Sequence, residues 1–355
     1  MTRFVSLDAL RGIAALMVVF SHVAVFTYYP FAEHPKIPSA LEFVLWNLGA
    51  TGVDTFFVLS GFVLSLPYLQ QGREMQPLKF IFRRFRRLYP AYLVSLLLAV
   101  ALKHFHGTEP LTEIVMRWYQ PLTVQEVLQH LLLLNPKMHI QSVNPVLWTL
   151  LVELHMAFFM PVVIRFLASN TMSSFTVLLV TLGGGFLGGF FVFPLGMVPL
   201  FVMGALLALH HSEVQDAFQK SPLLRNAAFL LGVALVFHRY WWIQEDLFFI
   251  RYISAFGATL VIPAILASPQ LQRFLQTPLV SWFGQISYSL YLVHLPILFF
   301  VASHAYSSLG GSLGTGLVGM ALSVGAAALL HRWFEKPVLN TSRPIRQKKE
   351  MVHAE

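Results

Sequence analysis

The 355-residue chain is 56% hydrophobic and only 11% charged, with a mean hydropathy of +0.66. This balance is far from that of a soluble domain and indicates an integral membrane protein. The sequence contains no cysteine, which excludes disulfides, zinc thiolates and a cysteine nucleophile. The formal net charge is +8. Because the basic residues lie beside hydrophobic spans, topology and anionic lipid headgroups account for them, and nucleic-acid binding is not predicted.

Apolar stretches of roughly 18 to 22 residues recur along the chain, separated by polar or Pro/Gly-rich segments. Ten candidate spans lie near 7–28, 47–66, 88–105, 146–167, 175–193, 195–211, 223–242, 249–267, 279–300 and 313–333. The sequence therefore predicts an all-α, polytopic transmembrane helical bundle of about ten spans. The distribution of Lys and Arg predicts that both termini are cytoplasmic. Residues 1–340 are predicted to form one membrane domain, and the polar, basic segment 341–355 is predicted to be a disordered cytoplasmic tail.

The first span carries two ionisable residues, Arg11 and His22, within an otherwise apolar run. Such residues are costly inside a membrane and mark functional sites by default. Their separation of eleven positions is about 20° past three full helical turns, which places them on one stripe about 16 Å apart. This stripe predicts a path that runs from the inner end of the helix towards its outer half.

Four ionisable residues from different spans are predicted to lie at a similar depth, roughly 10 Å below the outer surface. They are His22, Asp54, Glu153 and His294. A carboxylate can fix the tautomer of an imidazole, which can then take a proton from an attacking hydroxyl. Histidine and carboxylate also suit zinc, but these residues come singly from four helices without a short ligand spacing, so no metal is predicted.

An arginine cluster opens the third span, and five arginines are candidates for binding a phosphorylated ligand: Arg11, Arg83, Arg84, Arg86 and Arg87. Guanidinium groups grip phosphates through paired hydrogen bonds. The alternative is a cluster that only sets topology and anchors the protein to lipid headgroups. Charge alone favours this second interpretation.

Helical spacings predict orienting partners for two of these groups. Asp8 precedes Arg11 by three residues, a spacing at which the carboxylate can hold the guanidinium. Ser287, Tyr291 and His294 share one helix face at i, i+4 and i+7. This polar stripe predicts that Tyr291 helps to orient the site, or that it only hydrogen-bonds neighbouring helices.

A similar spacing predicts a local partner near the end of the last span. Glu335 follows Arg332 by three residues, which predicts an intrahelical ion pair between the two side chains. Such a pair would be structural and would lie at the inner end of the helix.

Six motifs in chain order resemble those of acyltransferase family 3, the multispanning membrane acyltransferases that include O-antigen and peptidoglycan O-acetylases. They are SLDALRG at 6–12 with His22 eleven positions after Arg11, GVDTFFVLSGF at 52–62, RFRRLYP at 84–90, WTLLVE at 148–153, SYSLYLVH at 287–294 and FEKP at 334–337. Together they cover nearly the whole chain, and their order makes the resemblance specific.

The resemblance implies a multi-pass O-acyltransferase of a bacterial-type inner (plasma) membrane that takes acetyl-CoA or another acyl-CoA from the cytoplasm. It implies that the five arginines bind the phosphates of coenzyme A. His22, oriented by a carboxylate such as Asp54 or Glu153, would then act as general base on a hydroxyl arriving from the outer side. The implied acceptor is a cell-surface glycan or its lipid-linked precursor.

Two alternatives remain open from the sequence. The acceptor can instead be a small hydroxylated metabolite. In a different class, a proton-coupled transporter would use the same His and carboxylate groups as a relay. The sequence shows no paired repeats with matched broken helices, which is an observation against the transporter.

Overall fold

The computed structural model describes residues 5–28, 40–108, 118, 120–132, 143–238, 248–310 and 312–341. The regular elements of these residues are all helices. In chain order they are α1 (Val5–Tyr28), α2 (Ala40–Leu69), α3 (Pro77–His104), α4 (Val124–Leu132), α5 (Leu147–Ala168), α6 (Ser174–Phe191), α7 (Phe193–Gly196), α8 (Val198–Leu209), α9 (His211–Lys220), α10 (Pro222–Val236), a 3₁₀ turn (Phe248–Ile250), α11 (Arg251–Leu266), α12 (Pro269–Leu275), α13 (Pro278–Ala305), α14 (Ser312–Leu330), a π-helix (His331–Glu335) and α15 (Lys336–Thr341).

The predicted all-α polytopic bundle is confirmed. Within the described ranges, seven helices are long and apolar enough to cross a membrane, and two further bent pairs bring the number to nine. Each of the ten predicted spans coincides with helix. The span predicted at 223–242 corresponds to α10, which ends at Val236 and is 15 residues long; its predicted end, 239–242, lies outside the described residues, as does the predicted tail except for Thr341.

Helix α1 packs against α13 and α2 through two close backbone approaches. A Cβ atom on Gly12 would lie 2.6 Å from the backbone nitrogen of Gly284 in α13. A Cβ atom on Gly52 of α2 would lie 2.6 Å from the carbonyl oxygen of Ala14. Real Cβ atoms do not approach this closely, so only glycine lets these three helices pack backbone to backbone. The face of α1 between the two contacts is thereby fixed in the bundle interior.

Helices α1 and α13 run in the same direction. Near their first turns, Asp8 lies against Gly284, and towards their far ends His22 contacts His294. By contrast, α6 presents most of its surface to the outside, with Phe175, Leu187 and Phe191 exposed by 68%, 63% and 87%. In a membrane, lipid rather than protein would cover that surface.

Candidate active site

Two histidines meet in the bundle interior, one from α1 and one from α13. The Nδ1 atom of His22 lies 2.8 Å from the Nε2 atom of His294. The rings are nearly parallel, at 19°, with centroids 5.1 Å apart. His294 is fully buried, and His22 is half-buried. We call these two residues the histidine pair.

The backbone around His294 fixes the tautomers of the histidine pair. Its Nδ1 atom lies 2.8 Å from the carbonyl oxygen of Tyr291 and 3.1 Å from that of Leu290. A carbonyl only accepts, so Nδ1 of His294 must carry the proton, and its Nε2 atom accepts. The Nδ1 atom of His22 is then the donor in the contact between the rings. The lone pair of His22 therefore lies on Nε2, the atom that a general base would use.

A second group of residues forms a cavity near the first turn of α1, which we call the polar pocket. Its charged lining consists of three arginines and three carboxylates: Asp8, Arg11, Arg84, Arg87, Glu153 and Glu335. Arginines from α1 and α3 thus face one space. The predicted candidates Arg83 and Arg86 are not among its lining residues within the described ranges, and the exposed Arg83 instead donates to the hydroxyl of Tyr68 at 3.0 Å.

The best-formed ion pair of the polar pocket joins Arg84 to Glu153. The Nη2 atom of Arg84 lies 2.9 Å from Oε2 of Glu153, and both side chains are almost fully buried. Ser60 donates to the other oxygen, Oε1, at 3.1 Å. Glu153 is therefore held in α5 by contacts from α3 and α2. A buried carboxylate with these partners is compensated in charge and in hydrogen bonds.

The other two arginines of the polar pocket differ in pairing. Arg11 lies 3.6 Å from Asp8, as its spacing predicted. For Arg87, which is half-buried, the described residues provide no ion pair. Arg87 is thus the arginine best placed to receive an anionic ligand without first giving up a carboxylate partner.

Glu335 enters the polar pocket from the π-helix that follows α14. Its Oε2 atom accepts from Ser289 at 2.9 Å and lies 3.0 Å from Nδ1 of His331. The predicted ion pair with Arg332 is not found, because Arg332 is exposed whereas Glu335 is buried. Within this π turn Glu335 contacts His331 and lines the pocket, and such turns frequently occur at functional sites.

A second cavity, the apolar pocket, adjoins the polar pocket on the side of the histidine pair. It is lined by Ala14, Ala15, Val18, Gly52, Val53, Phe56, Thr149, Leu150, Glu153, Ser287, Tyr288 and Tyr291. Four of these residues, Phe56, Glu153, Ser287 and Tyr288, also line the polar pocket. The two cavities therefore meet at Glu153.

The stripe predicted on α1 is realised as an ordered series of environments. Arg11 lines the polar pocket, Ala15 and Val18 line the apolar pocket, and His22 belongs to the histidine pair. Successive members are three or four residues apart, so all lie on one helix face. Two neighbouring cavities therefore lie along the part of this face that begins at Arg11.

The four residues expected at one depth have different partners. Glu153 lines the apolar pocket together with Tyr288 and Tyr291, which precede His294 by six and three residues in α13, and its ion pair is with Arg84. Asp54 is fully buried and forms its ion pair with Arg251 at 3.5 Å. Counting residues from helix ends assumes upright helices with known ends, so it could not resolve such differences. Glu153 and Asp54 thus have arginine partners. His22 contacts the imidazole of His294 and not a carboxylate.

Arg251, at the start of α11, is a residue that the sequence analysis missed. Besides its ion pair with Asp54, its guanidinium lies over the ring of Trp148, 5.2 Å from the centroid, and donates towards the sulfur of Met197. In sequence, an arginine near the end of an apolar span is indistinguishable from an ordinary flanking residue. The signal available was the aspartate in the second span, since a buried carboxylate requires a cation.

The histidine pair does not belong to a larger cluster with metal-binding geometry. Among the residues described, no three His, Asp or Glu side chains come close enough together to hold a metal ion. The imidazoles of His22 and His294 instead use their ring nitrogens to bond to each other and to the backbone.

Several known proteins are similar in sequence to part or nearly all of this chain. The chain is 39% identical over 101 residues to protein 2 in the picA locus of Rhizobium radiobacter (28% of this chain, 45% of that protein). It is 26% identical over 387 aligned positions to acyltransferase MdmB of Streptomyces mycarofaciens (97% and 94%). It is 34% identical over 107 residues to peptidoglycan O-acetyltransferase OatA of Listeria monocytogenes (29% and 14%). No solved structure matches.

The chain thus spans less than half the length of two of these relatives and nearly all of MdmB. A family model described as an acyltransferase domain, Acyl_transf_3, matches residues 4–332. That match includes every residue of the histidine pair and of the apolar pocket. With its apolar helices and its match along almost the entire sequence, the chain belongs to acyltransferase family 3 and is a multi-pass membrane protein.

Proposed function

We propose that this protein transfers an acyl group, most simply acetyl, from acyl-CoA in the cytoplasm to a glycan hydroxyl on the outer side of the membrane. One observation carries the proposal. A single face of α1 passes from an arginine-lined pocket through an apolar pocket to the histidine pair. A donor with anionic phosphates at one end and an uncharged thioester at the other matches this order.

The polar pocket would hold the phosphate end of the donor. Arg87 has no ion pair among the described residues and would bind phosphate directly, with Arg11 beside it. Arg84 faces the same space but is committed to Glu153. Because that pair lies where the two pockets meet, we infer that it shapes the passage for the arm that carries the thioester.

The histidine pair would perform the proton transfer. Nε2 of His22 would accept the proton of the acceptor hydroxyl while the hydroxyl oxygen attacks the thioester carbonyl carbon. The resulting imidazolium would donate through Nδ1 to Nε2 of His294, which the carbonyls of Leu290 and Tyr291 hold in orientation. Collapse of the intermediate breaks the C–S bond, and the proton on His22 passes to the departing thiolate. His294 takes the orienting role that the sequence analysis gave to a carboxylate.

The acceptor is assigned from the relatives. OatA is named as an O-acetyltransferase of peptidoglycan, and its match covers 29% of this chain. We therefore propose a cell-envelope glycan or its lipid-linked precursor rather than a small hydroxylated metabolite. Membership of an acyltransferase family also favours the enzyme over a proton-coupled transporter.

The test is transfer of label from acyl-CoA. Purified protein would be given acetyl-CoA labelled in the acetyl group together with either glycan extract or small hydroxylated metabolites. Label is expected in the glycan, as an ester that mild alkali removes. If only the metabolites gain label, the acceptor is a small hydroxylated metabolite and not a glycan. If neither acceptor gains label while a proton gradient drives solute uptake into vesicles containing the protein, the transferase proposal is wrong.

A further inference from the structure

The proposed transfer needs a group that the histidine pair does not supply. When a hydroxyl attacks a thioester, negative charge develops on the carbonyl oxygen. A fixed hydrogen-bond donor aimed at that oxygen is usually a large contribution to catalysis. The donor should lie between the apolar pocket, where the thioester arm would pass, and the histidine pair, where the hydroxyl is activated.

Most hydroxyl protons in the lining of the apolar pocket are already used. Ser287 donates to the carbonyl of Gly284 at 3.0 Å, and Tyr288 donates to that of Leu88 at 2.8 Å. These hydroxyls satisfy backbone groups inside the bundle, so they would have to break good hydrogen bonds to reach a ligand.

Tyr291 is different. The single hydroxyl proton of Thr149 has two acceptors within reach, the Tyr291 oxygen at 2.8 Å and the Val146 carbonyl at 3.1 Å. When Thr149 donates in the shorter contact, the proton of Tyr291 faces the carbonyl of Val146 at 3.3 Å. Hydroxyl hydrogen bonds normally measure about 2.5 to 3.0 Å, so this last contact is weak. Because a hydroxyl that accepts one hydrogen bond becomes a better donor in another, Thr149 strengthens the donor capacity of Tyr291.

Tyr291 also occupies the required position. Its side chain is half-buried and lines the apolar pocket. Its ring lies 5.8 Å from that of His294, centroid to centroid, and its backbone carbonyl holds the Nδ1 proton of the same histidine. One residue thus connects the pocket for the donor arm to the histidine pair.

We propose that Tyr291 is a catalytic residue whose hydroxyl donates a hydrogen bond to the thioester oxygen as that oxygen becomes negative. The inference rests on the transfer proposed above. In the step, the acceptor oxygen forms a bond to the carbonyl carbon, its proton goes to His22, and the π electrons move to the oxygen that Tyr291 binds. They return when the C–S bond breaks and the thiolate takes the proton. The proton of Tyr291 stays on Tyr291 throughout.

The experiment compares Tyr291→Phe with wild type in turnover and in donor binding. We expect kcat to fall by about 10²- to 10³-fold, the usual loss for one oxyanion donor, while the dissociation constant of acyl-CoA changes less than twofold. Thr149→Val should lower kcat by a smaller factor, about tenfold. Tyr252→Phe is the matched control, because its hydroxyl donates to the carbonyl of Gly196 outside both pockets; its kcat should equal that of wild type.

Three results would overturn the inference while leaving the proposed function intact. The first is a Tyr291→Phe protein that keeps more than half of wild-type kcat. The second is a loss confined to donor binding. The third applies if Tyr291→Phe does not fold. In that case 3-fluorotyrosine is placed at position 291, because it keeps the shape of tyrosine but makes the hydroxyl a stronger hydrogen-bond donor. It should change kcat, and an unchanged kcat contradicts the proposed role. Lack of transfer by wild type would instead refute the proposed function.

Discussion

The polar pocket and the histidine pair use different means to keep polar groups inside a membrane protein. The polar pocket holds three arginines and three carboxylates, and its buried charges are stabilised by opposite charges. The histidine pair is held by one ring-to-ring hydrogen bond and two backbone carbonyls. This contrast distinguishes a binding end from a reacting end: an arginine without a carboxylate partner suits an anionic ligand, whereas imidazoles suit proton transfer.

The largest effect is expected at the reacting end. His22→Ala removes the general base and should lower kcat by about 10²- to 10⁴-fold. Because the polar pocket is unchanged, the dissociation constant of acyl-CoA should stay within twofold of wild type. Turnover assays and equilibrium donor binding on the same preparation measure both quantities.

His155→Ala is the control for that substitution. Within the described part of the chain, the exposed His155 bonds to the carbonyl of Leu151 in its own helix, at 2.7 Å, so its loss should leave turnover unchanged. A His22→Ala protein that turns over at the wild-type rate would remove the histidine pair from the chemistry.

The next effect concerns the ion pair where the two pockets meet. Glu153→Gln leaves Arg84 buried with a neutral partner and should lower the free energy of unfolding by about 3–5 kcal/mol. The double variant Arg84→Met with Glu153→Leu removes both charges and should regain most of that stability. Thermal or denaturant unfolding in one detergent compares the variants.

The double variant also separates stability from function. If the double variant is as stable as wild type, it should nevertheless bind acyl-CoA less tightly than wild type, because the two side chains that shape the passage between the pockets have been replaced. If Glu153→Gln is as stable as wild type, the ion pair with Glu153 is not the main source of stabilisation for the buried charge of Arg84.

The smallest effect is expected for one arginine of the polar pocket. Arg87→Ala should weaken acyl-CoA binding about 10- to 100-fold, the loss of one charged hydrogen bond of about 1.5–3 kcal/mol. At saturating donor, kcat should change little because the histidine pair is intact. Titration with acyl-CoA and with dephosphorylated pantetheine thioester makes the measurement, since only the first presents phosphates.

An exposed arginine on α12, Arg273, provides the control. Arg273→Ala removes the same charge from the protein but not from the polar pocket, so donor binding should be unchanged. Equal losses in both variants would mean that net charge, and not a built phosphate site, attracts the donor.

The helices and the central stripe were predictable from sequence because both depend on local periodicity. Arg11 and His22 fall on one face of α1 for any regular helix, and the structure keeps them there. Asp8 pairs with Arg11 for the same reason. Contacts between residues of one helix can be predicted from their spacing along the chain, which the sequence contains.

Partners on different helices were not predictable to the same degree. Glu153 was one candidate to orient His22, but it contacts Arg84, because tilt and rotation between helices decide which side chains meet. Arg332 was paired with Glu335, but within the π turn the carboxylate of Glu335 contacts His331, four residues before it. Backbone carbonyls that fix a tautomer, as at His294, leave no signal in the side-chain sequence.

The proposed mechanism requires one path that joins a donor site on the cytoplasmic side to an acceptor site on the other. This path is tested by sealed vesicles containing protein of known orientation, with labelled acetyl-CoA added to one side and a membrane-impermeant glycan acceptor to the other. Label is expected on the acceptor only when acetyl-CoA is on the side of Arg87, and none is expected with His22→Ala. If transfer is equally fast when acetyl-CoA and the acceptor are on the same side of the membrane, whichever side that is, a path across the membrane is contradicted.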